Sequence, residues 1–282
     1  MPDGVLQVRR ARSIGNNANM MFLQSSSPKI AVVIPCLNEA LAIAKVVEDF
    51  RLALPEAQIY VFDNASTDDS VGLASRAGAC VISVPQRGKG HVVQAIFEYI
   101  EADVVVMTDG DDTYPTDIVR DLIRPVLEEG VDMAVGTRLK EFDRSSTGGS
   151  FRPLHVLGNH FIVSMINTLF GVKLNDVLSG YRAFSRRFMI SMPVLSQGFE
   201  IETELTVHAI AHGYAIREVP VRYGVRPTGS VSKLNTWRDG IRIVKLIPSL
   251  FKDTFPLRFF FNIKLCGGWA VDLGDSVTLA GV

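Results

Sequence analysis

Cysteine is scarce in this chain of 282 residues, which holds three, at Cys36, Cys80 and Cys266. The number is odd and the spacing fits no metal-ligand pattern, which argues against a disulfide framework and against a cysteine-bound metal. We therefore expect a fold without disulfides, in a reducing compartment.

Long apolar runs are also missing. No run reaches the roughly 18–20 apolar residues that cross a bilayer as a helix. The N-terminal stretch carries Arg9, Arg10 and Arg12, followed by polar residues, and lacks the apolar core of a signal peptide. We expect residues 1–28 to form a flexible basic extension of a cytoplasmic protein.

A global excess of charge is absent too, since the formal net charge is −1. Nothing global therefore indicates a nucleic-acid partner, and none is expected. The charge is nevertheless uneven: residues 217–258 hold nine Lys/Arg and three Asp/Glu, a net of +6, which leaves about −7 elsewhere. This asymmetry predicts an anionic partner or a membrane surface, although a solvated charged helix explains the charge equally well.

The chain has ample apolar content for a core, at 47%. Apolar strand-like runs alternate with helix-like stretches, which predicts an α/β fold with a mostly parallel central sheet and helices on both faces. The predicted strands are 29–35, 58–63, 79–84, 103–108, 132–138 and 216–223. The predicted helices are 39–54, 89–100, 117–128, 153–170, 185–192, 200–212 and 235–252. Residues 140–149 and 224–235 are predicted to be loops.

The most informative stretch is VVVMTDGDDTYP, residues 104–115, where an uncharged apolar run ends in Asp109, Asp111 and Asp112. Such a run is typical of a strand buried on both faces, and ligands of open α/β sheets bind beyond the carboxyl ends of the strands. Closely spaced carboxylates favour a hard cation, Mg²⁺ or Mn²⁺, completed by phosphate oxygens. The alternative is an acidic turn that caps the next helix.

Other polar groups are predicted at the same edge of the sheet. Asp63 ends the second strand, where its carboxylate can accept from a nucleobase or a ribose, or cap a turn. Pro35 to Glu39 ends the first strand, and Glu39 is within reach of a ribose. The segment Arg87-Gly88-Lys89-Gly90 precedes a helix, and its N–H groups and cations suit a diphosphate. Together these elements predict a nucleotide pocket.

Two later segments carry further candidates. The run from Asn175 to Arg182 places a carboxylate, a hydroxyl and a guanidinium within one turn-like segment. The run from Phe199 to Glu204 opens a helix, where glutamates are favoured by the helix dipole, and Glu202 is a candidate to face the cleft.

Taken in order, eight segments resemble family 2 inverting glycosyltransferases: IPCLNE, FDNASTD, RGKG, DGDD, GTR, NDVLSGYRAFSRR, GFEIETEL and RPTGSVSKLNTWRDG. The resemblance spans roughly residues 29–255. Within the family, the sequence most resembles the polyprenyl-phosphate sugar transferase branch, which includes dolichyl-phosphate mannosyltransferases. The resemblance implies a single nucleotide-sugar-binding domain of the glycosyltransferase A type over residues 29–234. It also implies a UDP- or GDP-sugar donor, a divalent metal, and an undecaprenyl- or dolichyl-phosphate acceptor for cell-envelope or glycan synthesis.

The residue patterns and the resemblance together assign roles in four groups. The metal ligands are Asp109 and Asp111. The donor-binding residues are Pro35, Asn38, Glu39, Asp63, Lys89 and Asp109. The catalytic residues are Asp111, Asp176, Arg138 and Glu202, and the acceptor residues are Ser179, Arg182, Arg226 and Lys233.

The sequence departs from this branch in two ways. Asp112 directly follows the D-x-D motif, so the sequence alone does not decide which of the three carboxylates bind the metal. Many relatives continue into transmembrane helices where this chain has a tail that is too short and too polar to span. We expect residues 235–256 to form a basic amphipathic helix near the membrane, residues 257–282 an irregular tail, and the protein to be peripheral at the inner membrane face.

The acceptor decides between the remaining functions. A phosphate acceptor is already an anion and needs little general-base help, whereas a saccharide hydroxyl needs a carboxylate base, with Asp176 or Glu202 as candidates. A glycosyltransferase that acts on a hydroxyl is therefore the alternative. A sugar-1-phosphate nucleotidyltransferase is disfavoured because the first strand ends in Cys36-Leu37-Asn38-Glu39 rather than in a glycine-rich basic loop. A membrane-associated scaffold would not need the acidic residues.

Overall fold

The computed structural model describes residues 27–138, 153–230, 233, 236–257 and 259. Our predictions for residues 1–26, for the loop 140–149 and for the tail from residue 260 lie outside the described residues.

Within those residues the chain alternates strands and helices as predicted. The strands are β1 (Ile30–Cys36), β2 (Gln58–Asp63), β3 (Cys80–Ser83), β4 (Val104–Met107), β5 (Met133–Thr137), β6 (Arg182–Ser185) and β7 (Ile216–Pro220). The helices are α1 (Ile43–Ala53), α2 (Ser70–Arg76), α3 (Lys89–Tyr99), α4 (Val119–Glu128), α5 (Pro153–Phe170), α6 (Arg186–Ser191), α7 (Ile201–Ala211) and α8 (Thr236–Thr254).

The strands form one sheet in the order β3-β2-β1-β4-β6-β5-β7. The pairs β1–β2, β1–β4, β2–β3 and β5–β7 are parallel, so the predicted mostly parallel sheet is confirmed. β6 is antiparallel to both β4 and β5 and was not predicted. Its four residues run directly into α6, where the Ser185 hydroxyl caps the helix by accepting from the N–H of Phe188 at 3.2 Å.

Helices cover both faces of the sheet, as predicted. Successive residues of a strand point to opposite faces, and Val32 and Val33 of β1 are both fully buried. Val32 belongs to a core cluster with α1, α2 and α4, and Val33 to a second cluster with α3, α6 and α7. The result is a three-layer α/β arrangement in which helices sandwich one sheet.

A third apolar cluster lies beyond the sheet, between α5, α7 and α8. Ile247 and Phe251 of α8 are buried in it. Val244 is partly buried against the same cluster, whereas Ile241 is 53% exposed. No helix in the described parts of the chain combines the length and the apolar character that crossing a membrane requires.

Candidate active site

The predicted site residues meet at one edge of the sheet because of the strand directions. β1, β2 and β4 run parallel, so the segments that follow them leave at the same edge. β6 runs the other way, and its first residue, Arg182, pairs with Met107 at the end of β4. The antiparallel strand therefore brings residues 175–181 to the carboxyl ends of the parallel strands, where ligands of such sheets bind.

Two turns at this edge are fastened together. The Asp63 carboxylate is buried and accepts from the N–H of Ser66, at 3.3 Å to each oxygen. Asn38 has a φ of 53°, in the left-handed region, and its side-chain oxygen accepts from the N–H of Thr67 at 2.7 Å. Pro35 is half-buried near the end of β1. The predicted nucleoside residues Pro35, Asn38 and Asp63 are thus neighbours, and Asp63 also fixes a turn.

The three carboxylates of the acid turn after β4 have different surroundings. The side chain of Asp109 is 28% exposed and Asp111 is 2% exposed. Burial, followed by repulsion from Asp109, raises the pKa of Asp111. Asp112 has a φ of 59° and forms an ion pair with Lys45 of α1 at 2.8 Å. Asp109 and Asp111 therefore share one site, and Asp112 is engaged elsewhere.

Lys89 lies between two carboxylates. Its Nζ is 2.6 Å from Asp109 Oδ1 and 2.7 Å from Glu202 Oε1. Burial opposes ionisation of Asp109, but the charge and hydrogen bond of Lys89 outweigh it and lower the pKa of Asp109. Lys89 is therefore the internal counter-ion of these two carboxylates, and its contact with a diphosphate stays a prediction.

The glycines beside Lys89 have a packing role that we did not predict. A Cβ at Gly88 would lie 2.0 Å from the carbonyl oxygen of Gln197, and one at Gly90 would lie 1.9 Å from that of Ser196. Their N–H groups are also used, since Gly88 donates to Asn64 and Gly90 to the Gln197 carbonyl. The prediction that the N–H groups of this segment cradle a diphosphate is therefore wrong for both glycines, which let the 196–197 segment cross directly over the start of α3.

The segment after β7 contacts two of the predicted site carboxylates, Asp111 and Glu39. Arg226 Nη2 is 2.5 Å from Asp111 Oδ2, and Lys233 Nζ is 2.6 Å from Glu39 Oε1. Burial raises the pKa of Glu39, and the hydrogen bond and charge of Lys233 partly offset this. Lys233 also donates to the carbonyl of Asn38 at 2.8 Å. Both cations therefore contact carboxylates that are predicted to bind the metal or the donor, and their own contact with an acceptor phosphate stays a prediction.

On the opposite side, Arg138 follows β5 and is held in one orientation. It donates to Asp176 through Nε at 2.7 Å and Nη2 at 3.1 Å, and its guanidinium lies 5.4 Å from the centroid of the Tyr223 ring. Asp176 is 1% exposed and also accepts from the N–H of Leu178 at 3.1 Å. The N–H of Asp176 donates in turn to Glu218 at 3.0 Å.

Arg182 is fully buried and does not line the cleft. Its guanidinium donates to the carbonyls of Ser179 at 2.8 Å and Val177 at 2.7 Å, and to the Thr206 hydroxyl at 3.0 Å. Burial, partly offset by the charge of Glu202, lowers the pKa of Arg182 to about 10. This placement contradicts our prediction that Arg182 meets an acceptor phosphate, because its donors bind the backbone of the segment that forms the site.

Ser179 and two residues that we did not single out complete this wall. The Ser179 hydroxyl is buried 3.4 Å from the Tyr114 hydroxyl, which accepts from the N–H of Gly180 at 3.1 Å. A Cβ at Gly180 would lie 2.8 Å from Asp109 Oδ2 and 3.0 Å from Lys89 Nζ. The glycine within Ser179-Gly180-Tyr181 was the available signal, since close backbone approach is a common reason for glycine at a site.

Comparisons with known proteins identify the family. The family model described as "Glycosyl transferase family 2" matches residues 31–189. The glycosyltransferase AglJ of Haloferax volcanii is 35% identical over 235 residues, which cover 83% of this chain and 76% of that protein. This chain belongs to glycosyl transferase family 2.

Two further comparisons concern what related proteins act on or bind. This family 2 glycosyltransferase is 30% identical over 220 residues to a protein of Haloferax volcanii named dolichyl-phosphate hexose transferase, with 77% of this chain and 92% of that protein covered. A solved structure of glucosyl-3-phosphoglycerate synthase from Mycobacterium tuberculosis, in complex with Mn²⁺, UDP and phosphoglyceric acid, superposes with a TM-score of 0.64 at 25% identity, over 80% of this chain and 79% of that chain. The protein is thus a nucleotide-sugar glycosyltransferase.

The Asp109 and Asp111 pair fits a divalent cation. Both are hard oxygen donors, and the Arg226 guanidinium already acts as a stand-in cation on Asp111. Within the described ranges there is no cluster of three or more His, Cys, Asp or Glu side chains that could hold a metal by itself. The donor set therefore suits a metal that one or two carboxylates and the diphosphate of the donor hold together.

Proposed function

We propose that this enzyme transfers a sugar from a UDP- or GDP-sugar, with Mg²⁺ or Mn²⁺, to the phosphate of an undecaprenyl- or dolichyl-type lipid. The transfer inverts the anomeric carbon and serves cell-envelope or glycan synthesis. The protein works as a peripheral enzyme at the inner face of the membrane.

The main support for this proposal is that both candidate general bases, Asp176 and Glu202, are already paired with cationic side chains. Asp176 is bound bidentately by Arg138, and Glu202, 4% exposed, is paired with Lys89. A carboxylate that serves as general base must reach the acceptor proton and take it up. Neither group is free to do so, which favours an acceptor that arrives as an anion and needs no base.

The remaining groups suit such a displacement. When bound, the metal supplies electrostatic stabilisation of the departing diphosphate. Asp109 and Asp111 would hold it, with Lys89 fixing Asp109. Arg138 is oriented by Asp176 and by the Tyr223 ring, and its guanidinium would position the acceptor phosphate beside the sugar. Ser179 would assist from the facing turn.

The basic helix α8 suits a membrane position. Arg238, Arg242, Lys245 and Lys252 are exposed on it, together with Ile241. Each cation near an anionic surface contributes up to about 1 kcal/mol, so attachment through α8 would be reversible and salt-sensitive. The similarity to a protein named dolichyl-phosphate hexose transferase supports the same acceptor class.

A donor-by-acceptor panel tests this proposal. Purified protein with Mn²⁺ would be offered UDP- and GDP-sugars together with liposomes containing polyprenyl phosphate, a soluble saccharide, or a small phosphorylated acceptor. We expect transfer to the lipid, and liposome binding that falls with salt and in a variant with Arg238, Arg242 and Lys245 changed to Gln. A saccharide that outperforms the lipid would favour the hydroxyl-acceptor alternative.

A further inference from the structure

A cation of the segment after β7 already lies on a carboxylate that is predicted to bind metal. Arg226 Nη2 is 2.5 Å from Asp111 Oδ2. The chain is held there by the N–H of Gly224, which donates to the carbonyl of Thr113 at 2.8 Å, two residues beyond Asp111. The guanidinium and the acid turn are therefore joined through both backbone and side chain.

The other terminal nitrogen of the same guanidinium makes no hydrogen bond to any residue that the structure describes. Arg226 Nη1 is buried and makes no hydrogen bond within the described residues, and it lies 3.9 Å from Glu39 Oε1, beyond hydrogen-bond reach. A buried donor without an acceptor is costly. A ligand oxygen would remove that cost, so this side of Arg226 favours an arriving anion.

We infer that Arg226 is the counter-ion of Asp111 while the metal is absent, and that a divalent metal and a diphosphate-bearing ligand together displace it from the carboxylate to the diphosphate. This inference rests on the donor half of the proposed function and is independent of the acceptor.

Charge balance explains why the two ligands should act together. Besides the Arg138–Asp176 pair, whose charges balance each other, the charged side chains of the site include Asp109, Asp111, Glu39 and Glu202, with Lys89, Arg226 and Lys233. A metal alone would have to expel Arg226 from Asp111 and then share the site with a cation that has lost its partner. A diphosphate that arrives with the metal offsets both charges. Metal and nucleotide should therefore strengthen each other's binding, by a factor within the roughly 5- to 150-fold range of coupled ligands.

Removal of the guanidinium should change two affinities in opposite directions. In Arg226→Gln the metal no longer competes with a cation on Asp111, so the metal alone should bind more tightly. The diphosphate loses its partner, so the gain in metal affinity from nucleotide should shrink. A purely structural ion pair would instead lower stability and leave the metal affinity unchanged.

Titration calorimetry with Mn²⁺, in the presence and absence of UDP or GDP, tests the exchange. Lys233→Gln is the matched control. The substitution removes one positive charge from the same segment, but the native Lys233 contacts Glu39 instead of Asp111. We expect Arg226→Gln to bind Mn²⁺ alone about 10-fold more tightly than the wild type, and clearly more tightly than Lys233→Gln, within the usual range of coupling effects. Equal Mn²⁺ affinities of the two variants would overturn the inference.

Two additional measurements keep the test decisive. Arg226→Lys retains the charge, so its affinity for Mn²⁺ alone should return towards the wild-type value; an affinity like that of Arg226→Gln would contradict the exchange. Circular dichroism and urea unfolding check that each variant is folded. Because no acceptor is present, failure of these binding experiments would overturn the exchange alone, whereas failure of transfer to polyprenyl phosphate would overturn the proposed acceptor.

Discussion

Arg138 donates two hydrogen bonds to Asp176, from Nε at 2.7 Å and from Nη2 at 3.1 Å, and Asp176 is 1% exposed. A carboxylate that is bound so completely orients its partner instead of accepting a substrate proton. In the proposed function, Asp176 is therefore a positioning residue for Arg138 and not the general base.

The first prediction concerns Asp176→Asn. The amide keeps one acceptor for Arg138 but loses the charged bidentate contact, so kcat/KM for the acceptor should fall about 10- to 100-fold, the equivalent of about 1.5–3 kcal/mol for a hydrogen bond to a charged group. The acidic limb of the pH–rate profile should remain unchanged. Loss of that limb in the variant would restore Asp176 as the general base.

The second prediction concerns Gly180→Ala. The new methyl group would lie 2.8 Å from Asp109 Oδ2 and 3.0 Å from Lys89 Nζ, so Asp109 must move from its position. We expect Mn²⁺-dependent nucleotide binding, measured by calorimetry, to weaken about 10-fold or more, as is usual when groups around a metal site are disturbed. Gly158→Ala is the control, because open space surrounds the added Cβ. Gly213 also has open space, but its φ of 68° would strain an alanine. Equal metal affinity of the Gly180 and Gly158 variants would contradict this account.

The third prediction concerns Arg182→Met. The substitution removes the donors to two buried carbonyls, of Ser179 and Val177, and to the Thr206 hydroxyl. We expect the free energy of unfolding to fall by about 3 kcal/mol or more. Arg120→Met is the control, since its ion pair with Glu56 is exposed and such pairs contribute about 0–1 kcal/mol. Urea unfolding of both variants makes the comparison. A normal stability with a selectively raised KM for the acceptor would return Arg182 to its predicted role.

The fourth prediction concerns acid stability. Burial, with a smaller effect of His212, lowers the pKa of His208 from 6.5 to about 4. The folded protein therefore holds this imidazole neutral while the unfolded chain binds a proton near pH 6.5, so its contribution to stability is lost as the pH falls from about 6.5 to 4. In His208→Gln the loss of stability between pH 7 and pH 5 should be smaller than in the wild type and in the exposed control His160→Gln. Identical pH slopes in urea unfolding would contradict this assignment.

The parallel part of the fold was predictable because apolar runs such as Val104–Met107 end in polar segments. The acid turn and Asp63 were found for the same reason, since strand direction alone brings their segments to one edge. β6 was missed because Arg182–Ser185 is short and continues into a helix, and its antiparallel pairing depends on contacts distant in the sequence.

The sequence predicted which residues form the site better than it predicted which of their charges pair with each other. The sequence shows that Lys89, Glu202 and Arg182 are present, but not which charges neutralise each other. Lys89 joins Asp109 and Glu202 across 20 and 113 residues of chain, and the glycines beside it are explained by a segment more than 100 residues later. These roles follow from tertiary packing, which no local pattern records.

The most direct test of the central claim is to identify the atom that receives the sugar. The protein, Mn²⁺, the nucleotide sugar that it accepts and polyprenyl phosphate in liposomes would be incubated, and the lipid product followed by phosphorus-31 NMR and mass spectrometry. The account predicts that the lipid phosphate monoester becomes a glycosyl phosphodiester with an inverted anomeric configuration. An unchanged lipid phosphate, with the sugar found on a hydroxyl of an added saccharide, would contradict it.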